Sequence, residues 1–175
     1  MFKVNDYVVY GRSGVCRIDA IENDNGRDFY SMWSLHQKCQ IRTPVDGPVP
    51  IRSVITADEA NALIDRIPSI AAAPINMKNT TELTRKYRAF ISAQDCQALI
   101  ELTMSIYAKK QAMLTENKKL STTDQAFMKE GEELLFGEFS VALGIPVDQV
   151  QTYIKMRVKP REKTTLLQQG NLRNL

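Results

Sequence analysis

Tyr7-Val8-Val9-Tyr10, Val15-Cys16-Arg17-Ile18-Asp19-Ala20-Ile21 and the turn Asn23-Asp24-Asn25-Gly26 decide how the first part of this chain folds. The first stretch is β-branched and aromatic throughout, which suits a pleated, half-buried surface. Gly11 to Gly14 interrupts it. Val15, Ile18 and Ile21 then place apolar groups along a second strand, without clean alternation. Asn25-Gly26 tolerates the positive φ of a tight hairpin, so a third strand, Asp28 to Leu35, is expected to fold back on the second. Cys39 to Thr43 reads as a fourth strand. After the turn Val45-Asp46-Gly47-Pro48, Val49 to Arg52 reads as a short fifth. Close spacing of short strands predicts a small five-stranded β-barrel of Tudor or SH3 type over residues 1–55.

The pattern then changes period. Thr56 with Glu59 forms a capping-box signature, followed by Ala60, Leu63, Ile64 and Ile67 at helical spacing and a stop at Pro68. Residues 56–78 are therefore read as a connecting helix and linker. From 79 to 156 the signals are helical throughout. Asn79 with Glu82 caps one helix, to about Phe90. Ser92 with Asp95 caps a second, carrying Leu99, Leu102, Ile106 and Met113. Ser121 to Asp124 caps a third, which carries Phe127, Met128, Leu134, Leu135, Phe139 and Leu143 and ends at Gly144. Pro146 begins a last one with Val150 and Ile154. Residues 157–175 read as a basic, fraying tail. The expected class is α+β with two domains: the small barrel, then a compact all-α domain.

Composition sets the bounds. The chain has 175 residues, 43% hydrophobic and 25% charged, ordinary for a globular protein and inconsistent with wholesale disorder, a fibre or a coiled-coil rod. The longest nearly uncharged apolar run, Ile67 to Ile75, is broken by two prolines and falls short of the roughly 20 residues of a membrane helix. The opening Met-Phe-Lys-Val-Asn-Asp has no apolar stretch, so no secretory signal is expected. Three cysteines, Cys16, Cys39 and Cys96, with no C-x-x-C, suggest free thiols in a reducing cytoplasm.

Charge is unevenly spread. Residues 1–75 hold 8 Lys/Arg against 9 Asp/Glu, and residues 76–175 hold 15 against 11. The excess gathers in three clusters: Lys78, Arg85, Lys86 and Arg88; Lys109, Lys110, Lys118 and Lys119; and Lys155, Arg157, Lys159, Arg161 and Lys163. Each reads either as a solvated helix face or as a phosphate contact. The first joins its cations to a helix N-terminus, where free amides also favour phosphate.

Signals for catalysis are weak. The only histidine, His36, stands three residues before Cys39, and this spacing with Cys16 and Cys96 matches no standard zinc site; Cys16 and Cys39 read better as small core residues of the barrel. There is no nucleotide-binding glycine loop and no G-x-S-x-G. Asp58/Glu59 and Glu132/Glu133 are sequence neighbours, which point about 100° apart on a helix and make poor catalytic pairs. No enzyme activity, metal, cofactor or small-molecule ligand is expected.

Phe2-x-x-x-Asp6-x-Val8-Val9-Tyr10, then Gly14-Val15-x-x-Ile18, Thr43-Pro44-Val45-Asp46 and Ile51-Arg52, resemble the opening module of the CarD/CdnL transcription regulators, which also occurs in the transcription-repair coupling factor. Thr84-Arg85-Lys86-Tyr87 and Leu120-Ser121-x-x-Asp124-x-x-Phe127-Met128, with Leu134-Leu135-Phe136-Gly137-Glu138-Phe139, resemble the helical half of that family, so the likeness covers about residues 1–156. Asn5 stands where the family usually has Gly, and Leu83 where members can carry a Trp used as a minor-groove wedge.

The resemblance implies a cytoplasmic, nucleoid-associated bacterial regulator that stabilises the open promoter complex. Its barrel would dock on the RNA polymerase β subunit through an edge strand, with Gln40, Ile41, Arg42, Thr43 and Pro44 as the contact. Its helical domain would reach promoter DNA through Leu83, Thr84, Arg85, Lys86 and Arg88, with Leu83 either the wedge or a residue packed into the helical core. The alternative is a protein-interaction adaptor that does not bind DNA. An RNA-binding barrel is a third reading, opposed by the placing of the basic residues outside the strand half.

Overall fold

The computed structural model describes residues 1–158. Five strands come first: β1 Tyr7–Tyr10, β2 Val15–Asp24, β3 Arg27–Ser34, β4 Cys39–Pro44 and β5 Ile51–Ser53. They form one antiparallel sheet in the order β4-β3-β2-β1-β5, so β4 and β5 are its edges. One face holds the sheet's own core of Val8, Cys16, Ile18, Tyr30 and Met32. Asn5 takes the left-handed conformation at φ 72°, and its N–H donates to the Ile18 carbonyl at 2.7 Å. Asparagine thus serves where glycine would be usual, because its short polar side chain tolerates that region.

The broken alternation of β2 has a structural cause. A register shift between Ile18 and Ala20 adds a bulge, and Val15 faces the opposite side of the sheet from Cys16 and Ile18. Val15 and Val9 are nevertheless buried, because the helices cover that end of the second face.

The helices are α1 Ala57–Arg66, α2 Thr80–Ser92, α3 Cys96–Thr115 and α4 Thr122–Leu143, followed by α5 over residues 147–158. Thr56 and Glu59 close the expected capping box on α1. The α2–α3 junction differs from expectation: Ser92 is the last residue of α2, and Asp95 alone caps α3 by accepting from Ala98 N–H. Gly144 ends α4 at φ 65°. A single helical core gathers Leu83, Tyr87, Ile91, Leu99, Leu102, Ile106, Leu134, Leu135 and Phe139, together with Ala60 and Ile64 of α1. Gly131 lets α3 and α4 approach closely, since a Cβ there would lie 3.1 Å from Thr103 Cγ2. No helix among the described residues is long and apolar enough to cross a membrane.

One expectation about a single residue is corrected, and one open alternative is decided. Cys39 is exposed at the start of β4, whereas Cys16 is buried in the sheet core and Cys96 in the helical core. Leu83 is a core residue, 4% exposed, on the stripe it forms with Tyr87 and Ile91. A side chain already covered by its own domain is not available as a wedge, because α2 turns this i, i+4, i+8 row toward α3 and α4.

Candidate functional site

Two surfaces carry the chemistry, one on each half. The first is the free edge of β4. Its side chains alternate as strand geometry requires. Ile41 and Thr43 face the sheet core, and Thr43 Oγ1 accepts from the Tyr10 hydroxyl at 3.1 Å. Gln40 and Arg42 face out. Gln40 Nε2 donates to Ser31 Oγ at 2.8 Å on the neighbouring strand. Arg42 lies over the Phe29 ring at 3.9 Å and donates to Glu22 and Asp24, each at 3.2 Å. The stacking and the two carboxylates hold the guanidinium flat against the sheet, and bonds to Glu22, the larger contribution, and Asp24 raise its pKa. Of the five residues expected at this edge, Gln40 and Arg42 present side chains outward. Ile41 and Thr43 offer mainly backbone, and Pro44 closes the strand.

The second surface is the outer face of α2. Asn79 caps the helix, its Oδ1 accepting from Thr81 and Glu82 N–H at 2.8 and 3.4 Å. Those amides are therefore occupied, and the sequence argument that placed a phosphate on them gives way to the side chains. Thr80, Thr81, Thr84, Arg85 and Arg88 line a shallow groove over successive turns, and Lys86 is exposed beside them. Lys78, Arg85, Lys86 and Arg88 make no ion pair among the described residues. Cations next to hydroxyls, with no carboxylate paired to them among the described residues, suit a phosphate backbone.

The other basic clusters are partly spent internally. Lys109 turns inward and bonds Asp124 at 2.9 Å, Lys118 pairs with Glu116 at 2.6 Å, and Arg157 pairs with Asp65 at 2.7 Å. Lys159, Arg161, Lys163 and the rest of the tail lie outside the described residues.

What joins the two halves was not foreseen. Glu138 of α4 is 2% exposed. Arg52 of β5 donates to both of its oxygens, at 2.5 and 2.8 Å, and also to the Gln94 carbonyl in the α2–α3 turn. The Ile55 N–H donates to the same carboxylate at 3.2 Å, and so does the Cys96 thiol at 3.1 Å. Further along α4, Leu134 packs under Gly14, where a Cβ would come within 2.9 Å, and Glu130 pairs with Arg12 at 2.6 Å. Glu130, Leu134 and Glu138 repeat at i, i+4 and i+8, so one stripe of α4 faces the sheet half. A carboxylate on the apolar row of Leu134 was the available sequence signal, and its partner 86 residues away in sequence was not.

Residues 2–55 match the family model of the CarD-like/TRCF RID domain. The sheet half of this chain is a CarD-like RID domain. The match ends before α1, so the helical half lies outside it. No curated protein matches the chain at a significant level. The RID domain supports RNA polymerase interaction and a transcription-related role for the chain.

Proposed function

We propose that the protein is a bacterial transcription regulator that docks on the RNA polymerase β subunit through β4 of its RID domain and holds promoter DNA with α2, stabilising the open complex. In this reading residues 1–55 are a Tudor-like docking unit and residues 79–156 a DNA-binding unit. The 56–78 connection contributes α1 to the helical core. The observation that carries the reading is that the RID edge strand and the unpaired cations of α2 belong to two halves tied together by Arg52 of β5 and Glu138 of α4.

Each surface has a role set by its physics. An edge strand adds to a partner sheet by backbone bonds, while outward side chains such as Gln40 and Arg42 set specificity. The α2 face supplies charge without base-reading geometry, so DNA binding would be salt-dependent and weakly sequence-selective. With Leu83 in the core, the complex is held by phosphate contacts from Arg85, Lys86 and Arg88, with Thr84, and not by an inserted side chain.

Co-purification with core RNA polymerase and promoter-complex lifetime test the reading. Arg42→Ala is expected to weaken polymerase binding about tenfold, about 1.4 kcal/mol. If three cations each touch a phosphate, log affinity for DNA falls with log salt at a slope near −3, and Arg85→Ala with Lys86→Ala reduces that slope by about 2. Polymerase binding with a flat salt profile would favour the adaptor without DNA binding.

A further inference from the structure

A groove of about 400 Å³ runs between α3 and α4 on the helical half, with Gln151 of α5 at its edge. The two helices are antiparallel neighbours: Thr103 lies against Gly131, and Lys109 bonds Asp124. That register sets the order of groups along the groove. On α3, Tyr107 and Lys110 are three residues apart and share a face. On α4, Met128 and Glu132 are four apart and share another. Tyr107 is level with the α4 turn around Phe127, so Glu132 lies five residues farther from the α3–α4 loop, about 8 Å along the axis. Lys110 lies one turn to the other side, toward the loop. A cation, an aromatic ring and a carboxylate thus succeed one another beside the apolar groups of Ile106, Leu120 and Met128.

These three groups are not spent inside the fold. Tyr107 is 53% exposed and makes no hydrogen bond or ring contact among the described residues. Lys110 is exposed and has no ion pair among them, whereas Lys109 next to it turns inward to Asp124. Glu132 is half-buried, and no hydrogen bond or ion pair forms with it among the described residues. Burial raises its pKa, opposed only by the charge of Lys110. A carboxylate that gives up water without gaining a partner costs stability. Neither the helical core, nor the α2 face, nor the tie to the sheet makes use of it.

A ligand that satisfies all three has a narrow chemistry. An apolar molecule leaves both charges unmatched. An acidic peptide sets carboxylates against Glu132, and a protonated amine meets Lys110 and Lys129. A nucleotide offers an anionic phosphate, a π face and an edge of N–H donors, in the order the groove requires. Stacking on an aromatic side chain is the general way in which proteins hold an unpaired base, and a glutamate accepts from a base amino group.

We propose that the α3–α4 groove binds one unpaired nucleotide, with its base stacked on Tyr107, its amino edge donating to Glu132 and its phosphate held by Lys110. The nucleotide is either free or part of a single strand. The site depends on neither the β4 nor the α2 reading.

Calorimetric titration of the full chain with adenosine monophosphate, with inorganic phosphate and with a short single-stranded DNA tests it. The DNA arm uses the Arg85→Ala, Lys86→Ala background, so that α2 does not contribute. Tyr107→Ala and Glu132→Gln are each expected to bind adenosine monophosphate or the single strand at least tenfold more weakly, at a melting temperature close to that of the parent. Inorganic phosphate is expected to bind at least tenfold more weakly than the nucleotide. If Tyr107→Ala does not fold, Tyr107→Leu removes the ring at similar volume and is expected to show the same loss. Tyr107-dependent binding of adenosine monophosphate supports the site with a free nucleotide as its ligand. Tyr107-dependent binding of the single strand alone supports it with a strand as the source. Binding of neither probe, affinities unchanged in the folded Tyr107 and Glu132 variants, or phosphate binding as tight as the nucleotide overturns it.

Discussion

Removing Glu138 gives the sharpest test of how the two halves are held. Glu138→Ala strips Arg52 of a bidentate partner and leaves the Ile55 N–H and Cys96 thiol without an acceptor. Breaking a buried pair by removing one member costs about 3–5 kcal/mol. The Arg52 side chain is 30% exposed and keeps the Gln94 carbonyl, so water and that bond soften the loss toward about 3 kcal/mol. The orphaned Ile55 amide adds about 1 kcal/mol. At about 2–4 °C per kcal/mol for a chain of this size, the melting temperature should fall by about 8–16 °C. Arg52→Met combined with Glu138→Leu should recover part of that loss, because both charges lose their desolvation cost together. Thermal melts of the parent, Arg52→Met, Glu138→Leu and the double variant close the cycle. A loss below about 1 kcal/mol in Glu138→Ala would show that the pair behaves as an exposed salt bridge. Additivity within about 0.5 kcal/mol would show that the two groups are not coupled, and either result refutes the clamp.

Leu83→Ala should cost about 2–5 kcal/mol of stability, the range for a buried leucine, read by denaturant unfolding; near-parental stability with a shortened promoter-complex lifetime would restore the wedge. Acid should destabilise the fold through Asp124. Burial alone would raise the pKa of this carboxyl, but bonds from Lys109, Ser121 and Tyr87 outweigh it and hold the group below its ordinary 3.8. The unfolded chain therefore takes up the proton first, and stability present above that value is lost as pH falls through the folded pKa. Asp124→Asn should remove this part of the acid slope in pH-dependent melts, and an unchanged slope would exclude Asp124 as its source. Thiol reagents should modify Cys39 alone in the native protein: Cys16 is buried and pushed up to about 11 by desolvation, and burial likewise raises the buried Cys96. Mass spectrometry showing fast labelling of Cys96 would mean that the helical core opens.

Local signals made most of the elements legible. The Asn25-Gly26 turn, the Thr56/Glu59 box, the Asn79 and Ser121 caps and Gly144 all act over a few residues, and each stands where expected. The class, strands followed by helices, was readable for the same reason, since periods of 2 and 3.6 are properties of short windows. Position in space was a different matter. Leu83 and Arg85 are two residues apart on one helix, and only the packing of α2 on α3 and α4 decides that the first is covered and the second is bare. Cys39 and Cys16 both look like small strand residues, yet only the sheet order makes one of them an edge residue. The Arg52–Glu138 contact and the groove beside Tyr107 arise where distant segments meet. Periodicity identifies the face a residue shares with its neighbours along the chain, but burial and pairing depend on what the rest of the chain brings against that face.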